Sequence, residues 1–259
     1  MFRDRHMTKK PRERIFAEKF LQDLPGTINE FAIELLVVFS LLLVSSLLFY
    51  ILIHFIIPEK ENILDHTAFL IFQPLVSPAH TQFAKIVTFF GTGSFLIPCY
   101  TLIVALLLRD SYLKYAIMTS TIAVSSLALG WILKDIFHRS RPSYHLVTGA
   151  GGYSFPSGHA LGGFVFTGVI LYIIWQTRKS FHIKCLFSAL ICIWGIAVGL
   201  SRIYLHVHYA TDVLGSLLIA LFWLSLLYIF FRALYGQKMH FKENETELDF
   251  SPSNYHLDN

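Results

Sequence analysis

The sequence predicts an all-α fold, a polytopic membrane protein of six transmembrane helices. Two observations predict it. Of 259 residues, 54% are hydrophobic and 15% charged, with 24 Phe and a mean hydropathy of +0.56, too apolar for a soluble domain of average composition. Six stretches also reach the roughly 20 apolar residues that a helix needs to cross about 30 Å of hydrocarbon. They are Leu35 to Ile57, Ile86 to Leu108, Tyr115 to Leu133, Ala160 to Thr177, Cys185 to Ser201 and Val213 to Phe231, and none contains Lys, Arg, Asp or Glu. The fourth and fifth are short and should extend into their flanks. No long polar segment remains to fold separately, and nothing suggests nucleic acid as a partner.

Taken in order, residues 1–32 form a basic leader, 33–232 the membrane domain and 233–259 a polar, somewhat acidic tail without periodicity, expected to be disordered. In the leader, Phe16, Phe20 and Leu24 recur every four residues among Arg12, Arg14, Glu18 and Lys19, which suits an amphipathic interfacial helix as well as a solvated tail. The first span exceeds the apolar core of a signal peptide, about 7 to 15 residues, and is expected to stay as an anchor. A seventh apolar stretch, Thr67 to Ala84, contains Pro74 and Pro78 and reads as interfacial or re-entrant, because each proline removes an amide donor. Cys99, Cys185 and Cys192 lie within apolar runs and read as packing residues.

Six spans put both termini on one side. Fifteen of the 21 Lys and Arg residues fall in the leader, the second and fourth connections and the tail, so that side is expected to be cytoplasmic. The other six are Lys60, Lys85, Lys134, Arg139, Arg141 and Arg202. Four of them, Lys134, Arg139, Arg141 and Arg202, sit close to His and Asp residues in the second and third outer loops, against the charge bias. Topology does not explain them.

Lys134, Arg141 and Arg202 can converge as three fixed cations on one outer vestibule, which calls for an anion; singly, each also suits a helix end that snorkels to headgroups. Pro156-Ser157-Gly158-His159 stands where the fourth span begins, so Ser157 and the amides of Gly158 and His159 would project from a helix N-terminus, a phosphate-binding geometry or an ordinary cap. The Gly-rich run at 149–152 lacks the Lys-Ser/Thr ending of a phosphate loop and reads as a flexible connection. His208 and Asp212, four apart, would stack on one helical face as a base and its orienting carboxylate; His206 lacks that spacing. A metal site from His159, His206, His208 and Asp212 is the rival reading, opposed by the neighbouring cations.

Together these residues resemble the three-part signature of the type 2 phosphatidic acid phosphatase superfamily: Lys134, six residues, Arg141-Pro142; Pro156-Ser157-Gly158-His159; and Ser201-Arg202, five residues, His208, three residues, Asp212. The resemblance covers Ile86 to Phe231. It implies a metal-independent, cofactor-free lipid phosphatase with an outer-face active site. In it His208 attacks phosphorus to form a phosphohistidine, Asp212 orients His208, and His159 serves as acid and then base. Lys134, Arg141, Arg202, Ser157 and Gly158 would bind the phosphate. The implied substrate is a phosphate monoester or diphosphate of a membrane lipid, such as phosphatidylglycerophosphate, phosphatidic acid or undecaprenyl diphosphate, met in the plasma or inner membrane if the host is bacterial. A phosphotransferase passing the group to an alcohol acceptor is the alternative.

Overall fold

A computed structural model describes residues 32–56, 62–149 and 151–235. The described residues hold eight α-helices and no strand. They are α1 (Ala32–Phe55, whose last turn widens to a π-helix over Leu52–Ile56), α2 (Ile63–Phe72), α3 (Pro78–Phe89), α4 (Gly93–Arg109), α5 (Leu113–Phe137), α6 (Gly158–Gln176), α7 (Phe181–Tyr204) and α8 (Ala210–Tyr235). Among the described residues, six helical segments are long and apolar enough to cross a membrane, with α3 and α4 together supplying one of them, Pro78–Arg109. The fifth span extends into both flanks, from Phe181 to Tyr204, whereas the fourth gains only Gly158 and His159 at its start and ends at Gln176. The leader stretch around Phe16, Phe20 and Leu24 and nearly all of the acidic tail lie outside the described residues.

Helix α6 packs against α5, α7 and α8 and forms, with α8, the inner pair of the bundle. Its apolar surface runs all round, as it does on α8, because each must face either protein or lipid at every angle. The outer helices keep large apolar side chains such as Leu47, Ile97, Val124 and Ile193 exposed, which is the surface a hydrocarbon solvent requires. The core at one end of the bundle gathers Leu52, Phe155, Leu161, Val165 and Leu218. Toward the other end an apolar cavity of about 220 Å³ is lined by Leu107, Tyr115, Tyr172 and Phe231 among others, far along α5, α6 and α8 from the motif residues.

The segment from Thr67 to Ala84 is neither one re-entrant element nor separate from the second span. Ile63–Phe72 is an independent helix that ends in a 3-10 turn at Gln73–Leu75, where Pro74 fits because an early helical position needs no amide. Pro78 then starts α3 behind a Ser77 cap whose Oγ accepts from His80 N at 3.2 Å. Both prolines are thus initiators, and the second span begins eight residues earlier than charge counting placed it. The span breaks once, at Phe90 to Thr92, where the chain passes under α6. A Cβ on Gly91 would stand 2.6 Å from Val198 Cγ1 and 3.0 Å from the His159 carbonyl oxygen, so only glycine permits this approach.

Three turns at the same end complete the frame. His138 caps α5 in the left-handed region, φ 46°, and donates its amide to the Lys134 carbonyl at 3.1 Å, which turns the chain sharply just past Lys134. The following connection leads through a cis Phe155-Pro156 bond to the start of α6. Between α7 and α8, five residues hold a tight reversal: His206 has φ 54°, and Val207 N donates to the Arg202 carbonyl at 3.2 Å.

Candidate active site

Every residue of the three sequence motifs lies at this end of the bundle. His208 and Asp212 are almost wholly enclosed, 1% and 0% exposed. His208 Nδ1 stands 3.4 Å from Asp212 Oδ2. The expected contact is present, but its origin differs from the helical stacking that four-residue spacing suggested. His208 precedes α8 by two residues, and the tight turn after α7 delivers it to the carboxylate. Asp212 is further fixed by the Ser154 hydroxyl, which donates to Oδ2, and by Tyr209 N, which donates to the same oxygen at 2.9 Å.

The other ring nitrogen of His208 faces the cations. Arg141 Nη1 lies 3.2 Å from Nε2 and also donates to the Val207 carbonyl at 2.7 Å. With the proton on Nδ1 beside Asp212, Nε2 keeps its lone pair. Burial, the leading cause, pushes the imidazole down to about 4; Asp212 opposes this, while Arg202 and Arg141 reinforce it. His208 is therefore a neutral base at ordinary pH. Arg141 itself is held by the carbonyls of Gly151 and Gly152, to which its Nε donates at 3.2 and 3.1 Å. The glycine run thus has a role that motif reading denied it, acting through its backbone oxygens.

Lys134, near the end of α5, donates to the Tyr153 carbonyl at 2.6 Å. Arg202, near the end of α7, is buried and donates through Nη1 to Thr88 Oγ1 at 2.7 Å, while its Nε has no partner. His159, in the first turn of α6, stands within electrostatic range of Arg202, His208, Arg141 and Lys134. Ser157 precedes α6 but makes no capping hydrogen bond: its hydroxyl is fully buried and unpartnered. A buried hydroxyl without a partner costs free energy unless a ligand satisfies it. The arrangement brings together three cations, a helix N-terminus, an orphaned hydroxyl and an orphaned guanidinium N–H. It is built to hold an oxyanion.

His206 is not in this group. It stacks on Phe69, with centroids 4.5 Å apart, and meets Tyr144 edge-on. Among the described residues, no cluster of three or more His, Cys, Asp or Glu side chains is arranged to hold a metal ion.

Sequence reasoning missed a second layer. Arg139 does not join the three cations. Its Nη1 donates to Asp212 Oδ1 at 2.6 Å, its Nη2 to Asp65 Oδ2 at 2.8 Å, and its guanidinium lies 4.3 Å from the Tyr209 ring centroid. Asp65 sits on α2, outside the motifs. The available signals were slight: Arg139 defies the charge bias, and Asn62 with Asp65 has the spacing of a helix start.

Residues 112–235 match the model of the PAP2 superfamily. Phosphatidylglycerophosphatase B of Bacillus subtilis (strain 168) is 29% identical over 162 residues, 62% of this chain and 77% of that protein. Undecaprenyl-diphosphatase BcrC of the same organism is 27% identical over 113 residues, 42% of this chain and about half, 53%, of that relative. Among solved structures, the crystal structure of a transmembrane PAP2 type phosphatidylglycerolphosphate phosphatase from Bacillus subtilis superposes with a TM-score of 0.66 at 24% identity, covering 76% of this chain and 98% of that one. At that identity the superposition speaks for the fold.

Proposed function

We propose that this protein is an integral membrane lipid phosphatase that hydrolyses a phosphate monoester or diphosphate of a membrane lipid. The observation that carries the reading is His208: Nδ1 rests on a buried carboxylate, and Nε2 points into a cluster of three cations. The names of the two curated relatives, both lipid phosphatases or diphosphatases, support the substrate class.

The chemistry follows from the placement. The Nε2 lone pair attacks phosphorus, and the bond from phosphorus to the lipid oxygen breaks with its electron pair on that oxygen, which takes a proton from His159. Asp212 stabilises the cationic phosphoimidazole. His159, now neutral, removes a proton from water as the water attacks phosphorus; the P–N bond breaks, its electrons return to Nε2, and inorganic phosphate leaves. Lys134, Arg141, Arg202, the Ser157 hydroxyl and the Gly158 amide surround the equatorial oxygens. About two negative charges of a phosphate ester meet three cations and a helix N-terminus, so no divalent ion is required for charge balance.

The partition of basic residues supports an orientation with both termini on the cytoplasmic side and this site on the outer face, at headgroup depth. A lipid phosphate can then reach the site between helices while its tails stay in hydrocarbon. The three cations are already spent on one phosphate, which favours a small headgroup.

The test is phosphate release by purified protein from phosphatidylglycerophosphate, phosphatidic acid and an isoprenoid diphosphate in detergent micelles, beside a water-soluble phosphate ester. A kcat/KM higher for the lipids, insensitive to chelator and inhibited by vanadate, is the expected result. Higher kcat/KM for the soluble ester would overturn the lipid assignment. Radiolabel appearing on an added alcohol instead of as free phosphate would make the protein a transferase.

A further inference from the structure

Behind the His208–Asp212 pair lies a second buried carboxylate with no place in the reaction as drawn. Asp65 is 1% exposed, on the first turn of α2. Its oxygens accept from Asn62 Nδ2 at 2.7 Å, from Thr211 N at 2.9 Å, from the Thr211 hydroxyl, and from Arg139 Nη2 at 2.8 Å. The Thr211 hydroxyl in turn accepts from Arg139 Nη1 at 2.7 Å. Arg139 is thus clamped between two buried carboxylates, Asp65 and Asp212, with its own side chain 8% exposed. Burying this many charges is costly and is rarely the best way to hold two helices and a connection together, since apolar packing of the same volume does as well.

Charge accounting gives the cluster a purpose. Arg139 alone against Asp212 would cancel the carboxylate and leave nothing to balance the positive charge that forms on His208 during attack. With Asp65 included, the Asp65–Arg139–Asp212 group carries a net charge of minus one, and formation of the cationic His208 adduct brings it to zero. We infer that Asp65 is a positioning residue for the reaction: it neutralises and holds Arg139, so that Asp212 keeps its full negative charge for His208. Residue Asp65 lies outside the matched residues 112–235, so α2 is an external part that completes the site. The inference rests on the phosphatase reading proposed above.

The test uses full-length protein in detergent with phosphatidic acid as the probe. Asp65→Asn preserves the shape and most hydrogen bonds but removes the charge. Its kcat should fall about 10 to 100-fold, the range seen when a partner behind a reacting group is lost, with KM within about twofold because no substrate contact changes. The double variant Asp65→Asn with Arg139→Gln restores a net charge of minus one, and its kcat should exceed that of Asp65→Asn alone. A merely structural Asp65 would lower thermal stability and leave the kcat of the folded protein unchanged; that result overturns the inference, as does a double variant no more active than Asp65→Asn. If Asp65→Asn fails to accumulate, the double variant alone decides: turnover within about tenfold of the parent supports the charge account, and inactivity overturns it. His208→Ala is measured alongside. Activity surviving in His208→Ala would remove the phosphatase reading itself, whereas loss there with a normal Asp65→Asn would remove only this inference.

Discussion

Nδ1 of His208 lies 3.4 Å from Oδ2 of Asp212, and the helix that carries the aspartate begins between them, at Ala210. The pair is therefore assembled by a turn, with the imidazole aimed back over the helix start at its carboxylate. A base held this way is oriented by backbone geometry as well as by its partner. Replacing either member has separable consequences.

His208→Ala removes the proposed nucleophile and should lower kcat by about 10³-fold or more. His206→Ala, which loses the stacking on Phe69 and the edge contact with Tyr144, should retain most activity. Equal losses in initial-rate assays of the two variants would contradict the assignment of the attacking group.

Asp212→Asn keeps the size of the side chain but loses the charge that fixes the tautomer, and kcat should fall on the order of 10²- to 10⁴-fold. It also removes one of the two carboxylates around Arg139, so thermal stability should drop. A variant equally active and equally stable would show that the carboxylate serves neither purpose.

Because His208 is held down to about 4 against an ordinary value of 6.5, it binds a proton less readily in the folded protein than in the unfolded chain. Stability linked to this group is present above pH 6.5 and declines as pH falls from 6.5 through about 4, since the unfolded chain takes up the proton first. Imidazole chemical shifts of labelled protein in detergent should place the His208 titration well below that of free imidazole. Titration near 6.5 would mean that the ring is neither buried nor neutral as described.

A Cβ added at Gly215 would lie 2.3 Å from Phe155 Cε2, and Phe155 is fully buried against Phe49 and Phe137. Gly215→Ala should destabilise by about 1–3 kcal/mol through overpacking. It should also lower activity, because the displaced Phe155 is bonded to Pro156 and through it to Ser157. Thermal unfolding and initial rates on one preparation check both; a change in neither would mean that the ring repacks freely.

Reporter fusions give the orientation. Those placed after Lys179 and at Asn259 should behave as cytoplasmic and one after Gly149 as external. An external tail would overturn the six-span topology.

The sequence by itself determined the six apolar spans, since hydrocarbon thickness prescribes their length and composition. It also singled out Lys134, Arg141, Ser157, Gly158, His159, Arg202, His208 and Asp212 as candidates, because they fall in three motifs at helix ends that six antiparallel crossings bring to one side. What only tertiary structure decided is how these groups meet. The turn at His206 and the break at Gly91 depend on close contacts between segments remote in sequence, to which periodicity is blind. Whether Pro74 and Pro78 interrupt or initiate helices depends on the partners of the flanking amides. Asp65 and Arg139 were legible only as charges out of place, because an ion pair spanning 74 residues exists only once α2 has packed across α8.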